Sequence, residues 1–141
     1  MAAKIELASP EWFAALKAHI ARFVETPNGQ KTKWSICEVF TGVPKHLDRD
    51  GSGVIAWHCR IADGKMVFAY GAADDVEMKT TTDYDFILPM ARLVIGPDTA
   101  AELAAHSQKG IESGKMKREG DSSGVPPEFH AIHNDLAAIT A

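Results

Sequence analysis

The chain has 141 residues, 45% of them hydrophobic and 24% charged, with a formal net charge of −4. A chain of that length makes one domain, residues 1–141, that buries roughly two-thirds of its unfolded surface. Lys115, Lys117 and Arg118 are the only basic cluster, which argues against nucleic acid, and no apolar run approaches the ~20 residues that stable membrane insertion requires.

Ser9 followed by Pro10 marks a helix start, with proline at the first helical position, where its missing amide is not needed. Trp12, Phe13, Leu16, Ile20, Phe23 and Val24 then recur at helical spacing as one apolar stripe. Thr26-Pro27-Asn28-Gly29 stops that helix. From Lys33 to Thr41 the period changes to two, placing Trp34, Ile36 and Phe40 on one face and Ser35, Cys37, Val39 and Thr41 on the other. A polar loop from Gly42 to Gly53 precedes a second strand, where Ile55, Trp57, Cys59 and Ile61 alternate with Val54, Ala56, His58 and Arg60. Asp63-Gly64 supplies a two-residue hairpin turn of the preferred kind. The third strand follows, with Met66, Phe68 and Tyr70 on one side, and a fourth sets Val76, Met78 and Thr80 against Glu77, Lys79 and Thr81. Three antiparallel neighbours with one polar face predict a sheet covered by helices on a single side.

Asp83 is the expected N-cap of a helix running towards Gly96, with Phe86, Ile87, Met90, Ala91 and Val94 buried and Pro89 kinking or dividing it. Gly96-Pro97-Asp98-Thr99 restarts a short alanine-rich helix that reaches the neighbourhood of Lys109. A fifth strand covers Lys115 to Glu119. Ser122-Ser123-Gly124 then leads to Pro126-Pro127-Glu128, which opens a last helix with Phe129, Ile132, Leu136 and Ile139 at helical spacing.

Three segments in order carry a family resemblance: the hairpin Ile61-Ala62-Asp63-Gly64-Lys65, the polar strand Asp75 to Thr81, and the closing run Gly114-Lys115-Met116-Lys117-Arg118-Glu119-Gly120-Asp121. From Ser9 to its end the chain resembles the sterol carrier protein 2-like family, whose closing strand commonly reads Gly-Lys-Leu-Lys-Val-Glu-Gly-Asp. The resemblance implies an α+β fold: a five-stranded mixed sheet with helices packed mainly on one face, an N-terminal helix first and a C-terminal helix last. It also implies an apolar tunnel beneath the helices for a sterol, fatty acid or acyl-CoA ester, with no catalytic residues and no cofactor. Eukaryotic relatives often end in a peroxisomal address, which Ile139-Thr140-Ala141 is not. Met1 to Leu7 lacks the basic-then-apolar order of a signal peptide, so a bacterial, cytoplasmic protein is expected.

The expected partner is thus an apolar small molecule. Trp34, Ile36, Trp57, Met66, Phe68, Tyr70, Met78, Phe86, Met90, Met116, Phe129 and Ile132 are the side chains expected around it, methionines suiting varied apolar shapes. Two charges interrupt this inventory. Arg118 stands where the family's closing strand has an aliphatic residue, and Glu38 shares the parity of Trp34, Ile36 and Phe40. A β-bulge near Glu38 or a register shift near Arg118 would turn both into water. Alternatively, Arg118 faces the cavity mouth and holds a carboxylate head group bidentately. Transfer would need the last helix, Pro126 to Ile139, to move as a lid. The competing reading is an accessory or dimerisation module for an enzyme of lipid, CoA-ester or steroid metabolism, pairing as a homodimer through an open sheet edge.

Other motifs carry less. Asp48-Arg49-Asp50-Gly51-Ser52-Gly53-Val54-Ile55 copies the start of a calcium loop, but Cys59 holds the twelfth position, where a glutamate belongs, and strands flank it. His130 and His133 lie three apart without a third ligand. Cys37 and Cys59 read as inert buried thiols, and His58 points away from Cys59 on the strand they share.

Overall fold

Ser9 caps the first helix, α1 (Pro10–Val24), its side chain accepting the Trp12 amide at 3.2 Å, and the predicted stripe is the buried one. These are the coordinates of a computed structural model that describes residues 4–141, except for the side chain of Ser122. The segment read for a signal, Met1 to Leu7, therefore begins outside the described residues. Thr26-Pro27 does more than end α1. Thr26 accepts the Gly29 amide at 3.0 Å and starts a one-turn helix, α2 (Pro27–Lys31). This turn folds back so closely that a Cβ on Gly29 would collide with the Phe23 carbonyl and the Val24 backbone.

Five strands form one sheet: β1 (Trp34–Thr41), β2 (Val54–Ala62), β3 (Lys65–Tyr70), β4 (Met78–Asp83) and β5 (Met116–Gly120). Their order is β3-β2-β1-β4-β5. β1 and β3 flank β2 antiparallel, whereas β4 runs parallel to β1 and antiparallel to β5, giving the expected mixed sheet. Asp63 and Gly64 both take positive φ, 53° and 71°, as the tight β2–β3 turn demands.

β4 begins later than the alternation predicted, at Met78, and runs on to Asp83. Val76 falls outside it because the chain must first travel from β3, at the sheet edge, to the far side of β1. Residues 71–77 make that crossing over the outer face. There His58 bonds the Gly71 carbonyl at 2.9 Å, the Ala73 amide donates to Cys37 Sγ at 3.5 Å, and Arg60 donates to the Asp75 carbonyl at 2.8 Å. The outer face is therefore polar but partly covered, and Cys37 is buried there.

The remaining helices cover the opposite face. α3 (Tyr84–Ala91) starts as expected, with the Phe86 amide donating to Asp83 Oδ1 at 3.0 Å. It ends earlier than the stripe predicted, and Val94 is 51% exposed rather than buried. Pro89 withholds the amide that would bond Asp85, and the helix closes within a turn. α4 (Ala100–Ser113) continues beyond Lys109 and stops at Gly114, whose φ of 79° is a left-handed cap. α5 (Glu128–Ile139) buries Ile132, Leu136 and Ala137. No helix among the described residues is long and apolar enough to cross a membrane.

The contact at Gly29 gives the first prediction. Gly29→Ala should lower the unfolding free energy in urea by about 2 kcal/mol or more, since backbone rather than a side chain must move. Gly96→Ala, with open space around the added methyl, should change it by less than about 0.5 kcal/mol.

Candidate functional site

Unbroken pairing across the sheet sorts the helix-facing side chains into rows. Phe68, Cys59, Ile36 and Met78 form one, while Ile55, Phe40, Thr82 and Met116 form another. Between them runs Tyr70–Trp57–Glu38–Thr80–Arg118, crossing all five strands. Neither a bulge nor a register shift interrupts it. The expected bulge near Glu38 or register shift near Arg118 is thereby corrected: two-residue periodicity holds and both residues lie on the helix face, Glu38 half-buried and Arg118 exposed at the edge strand.

Above this polar row the helices leave a cavity of about 240 Å³. Ile36, Trp57, Met90 and Met116 line it together with Arg118, and α5 adds Phe129 and Ile132. The other expected residues are placed elsewhere. Trp34 packs edge-on against Phe129, at 5.0 Å between ring centroids, and Phe68 stacks on Trp57 at 5.3 Å. Met66 and Met78 pack against the core. Phe86 stacks on His106 at 4.1 Å. Tyr70 lies beyond α1, met by Phe13 on an edge and by the Arg49 guanidinium on a face.

Sequence reasoning missed several walls. Trp12 and Leu16 of α1, Phe40, Ile95, Leu103, Ser107, His133 and Leu136 all reach the cavity. Trp12, Leu16, Phe40 and Leu136 belong to predicted apolar stripes, a signal that marks them as inward-facing but does not distinguish a wall from a packed contact, whereas Ile95, Leu103, Ser107 and His133 carry no such signal.

The cavity holds two charges and no ion pair between them. Glu38 is half-buried, and no hydrogen bond or salt bridge holds its carboxyl among the described residues. Burial pushes that carboxyl up to about 7 from 4.5, opposed first by the Trp57 indole and then by the Arg118 charge. The indole N–H of Trp57 is buried beside the carboxyl without closing a hydrogen bond of ordinary geometry. Arg118 is exposed yet lines the cavity, so the mouth lies at the β5 edge. Among the described residues its guanidinium donates only to Met116 Sδ, at 3.9 Å. His133 Nε2 donates to the Leu93 carbonyl at 2.9 Å, and burial holds its ring below the usual histidine range.

The discounted motifs have structural explanations. Asp48 accepts the Gly51 and Gly53 amides at 3.0 and 2.8 Å, and Asp50 accepts the Ser52 amide at 3.0 Å, so both carboxylates tie up their own loop. Among the described residues no group of three or more His, Cys, Asp or Glu could hold a metal ion. Cys37 and Cys59 are free, buried and on opposite faces, and burial raises both thiols, Cys59 to about 12.

Solved structures share this fold at low sequence identity. A crystal structure of sterol carrier protein 2 matches with a TM-score of 0.54 and 12% identity, covering 94% of this chain and 100% of that one. The solution structure of the sterol carrier protein domain 2 of Helicoverpa armigera gives 0.52 at 13% identity, over 96% and 95% of the two chains. No protein-family model matches the sequence, and no curated protein shows significant similarity to it. The chain has the sterol carrier protein 2 fold that its sequence resembles.

Glu38 gives a test with a defined sign. Its folded carboxyl holds a proton more tightly than the unfolded one, so stability is greatest below about pH 4.5 and falls as pH rises through about 7. The partial exposure of Glu38 reduces the cost, leaving about 1–3 kcal/mol. Glu38→Gln should raise the thermal midpoint at about pH 8 and leave it nearly unchanged near pH 4.5, as differential scanning calorimetry at the two pH values would show.

Proposed function

We propose that this chain binds an apolar ligand in the cavity between its sheet and its helices and carries or presents it. The observation that carries the reading is the cavity itself. It sits over the centre of the sheet, where a domain of this size would otherwise place its densest packing. Its walls are predominantly apolar, and its two charged groups, Glu38 and Arg118, stand on one row, the composition of a ligand site. The two solved structures described above are sterol carriers by name, which supports the same reading.

The volume indicates how a ligand is accommodated. About 240 Å³ exceeds the roughly 150 Å³ that takes a benzene-sized guest, but lies below the roughly 300 Å³ where drug-sized sites begin. A long chain or a sterol therefore needs a wall to move. α5 is a poor candidate. The Ile5 amide bonds the Ile139 carbonyl at 2.7 Å, Trp12 donates to Thr140 at 3.2 Å, and Asn134 exchanges two hydrogen bonds with Ile95. α4 is the better lid, since Gly110 is its only buried residue while Leu103 and Ser107 roof the cavity.

Catalysis has little support from these walls. Ser107 and His133 both reach the cavity, but the His133 N–H is committed to Leu93 and no hydrogen bond joins the pair. A nucleophile needs its base within reach.

Displacement of a fluorescent fatty acid and of a fluorescent sterol, run side by side, tests the binding. At least one should be displaced at a ratio of one ligand per chain. Ala91→Phe, which fills the cavity from α3, should weaken binding at least about tenfold while leaving the circular dichroism spectrum intact. A chain that emerges from native mass spectrometry as an empty dimer and displaces neither probe would instead be an accessory module. Hydrogen exchange supplies a separate check: α4 amides should exchange faster than those of α5 and slow when ligand binds.

A further inference from the structure

We propose that Glu38 and Arg118 form the head-group site of this cavity and select a carboxylic acid with an apolar tail. The acid's carboxylate accepts two hydrogen bonds from the Arg118 guanidinium and shares one proton with the Glu38 carboxyl across Thr80. This rests on the reading of the cavity as a ligand site, and adds the class of ligand and the proton that accompanies it.

The geometry leads to this through the register. Glu38 pairs with Thr80, and Thr80 with Arg118, so the two charges stand two strand spacings apart, roughly 10 Å between backbones. Both side chains reach the same cavity and neither has an ionic partner within it. A guanidinium offers a planar fork that matches a carboxylate, whereas a sterol hydroxyl or an alcohol would use only one donor. Glu38 then faces an anion at close range. Two carboxylates sharing a site do not both ionise, so one of them holds a proton.

That proton belongs to the pair, because the surrounding groups do not titrate near neutrality. α1 and α3 present only apolar side chains, Trp12 and Leu16 from one and Ile87, Met90 and Ala91 from the other. α4 contributes Leu103 and Ser107, and β2 contributes Trp57. From α5 comes His133, whose ring burial holds below the usual histidine range while its N–H bonds the Leu93 carbonyl. Arg118 stays charged throughout. Glu38, raised by burial, is left as the group that changes charge in this window.

Bound acid therefore takes up a proton from solvent whenever free Glu38 is ionised, and affinity falls as pH rises above neutrality, by about tenfold per unit at the limit. A neutral alcohol of the same length has no such requirement. Isothermal titration calorimetry of the full chain with decanoic acid and with 1-decanol distinguishes these cases. Titrations at about pH 6.5, 7.5 and 8.5, in buffers of differing ionisation enthalpy, report affinity and proton uptake together. The expected result near pH 8.5 is uptake approaching one proton per decanoate bound and close to none per decanol. Glu38→Gln should abolish both the uptake and the pH dependence while binding decanoate as tightly as the parent does at pH 6.5. Arg118→Gln should weaken decanoate at least about tenfold and leave decanol within about twofold. Calorimetric unfolding of each variant confirms that it folds.

A pH-independent decanoate affinity without proton uptake, or equal losses for both ligands in Arg118→Gln, overturns the head-group site and leaves apolar binding intact. Failure of both decanoate and decanol to bind at every pH overturns the ligand reading as well.

Discussion

Everything in this molecule that bears on function depends on five strands pairing in register without a bulge. Because side chains alternate strictly along each strand, the pairing lines them up across the sheet, and a charge on one strand cannot be moved to the other face on its own. Turning Glu38 outward would also turn Trp34, Ile36 and Phe40 outward and empty the core. The sheet therefore retains a carboxyl in its floor, and the helices above leave space around it instead of packing down.

The helix layer is built unevenly. α1 brings a complete apolar stripe and α5 is stitched to both chain ends, so those two form the fixed half of the roof. α3 is cut short by Pro89, and α4 is held by the close approach of Gly110 to Phe86 and Met116 and by His106, which stacks on Phe86 and donates to its carbonyl at 2.7 Å. A bulkier residue at Gly110 would meet the Phe86 ring directly, so this one contact determines how low α4 sits over the cavity. The helix that buries least, α4, and the charged mouth thus lie towards the same edge of the sheet, beside β5.

The parts legible in the sequence were those governed by local rules. The cap at Ser9, the stripe from Trp12 to Val24, the alternation of β2 and the Asp63-Gly64 turn each follow from a few neighbouring residues and were read correctly. The parts that escaped depend on partners distant in the chain. The late start of β4 follows from a crossing that no periodicity announces, and the extra turn of α4 follows from the Gly114 cap. The site divided in the same way. Trp57, Met90 and Ile132 line the cavity, whereas Trp34 and Phe68 find aromatic partners in the core and Phe86 stacks on His106 outside it. An inward-facing stripe shows which way a side chain points, not how far away the opposite wall stands.

The crossing over the outer face has a kinetic side. β2 and β3 are joined by a two-residue turn and pair from local encounters, and β1 is next to β2 in the chain, but β4 docks against β1 only once β2, β3 and residues 71–77 have been traversed. β5 must wait longer still, for two helices to be made between it and its neighbour. The half of the molecule that completes last is thus the half whose edge carries the opening. Local opening of that half would leave the meander of β1, β2 and β3 standing, and so would not require crossing the global unfolding barrier.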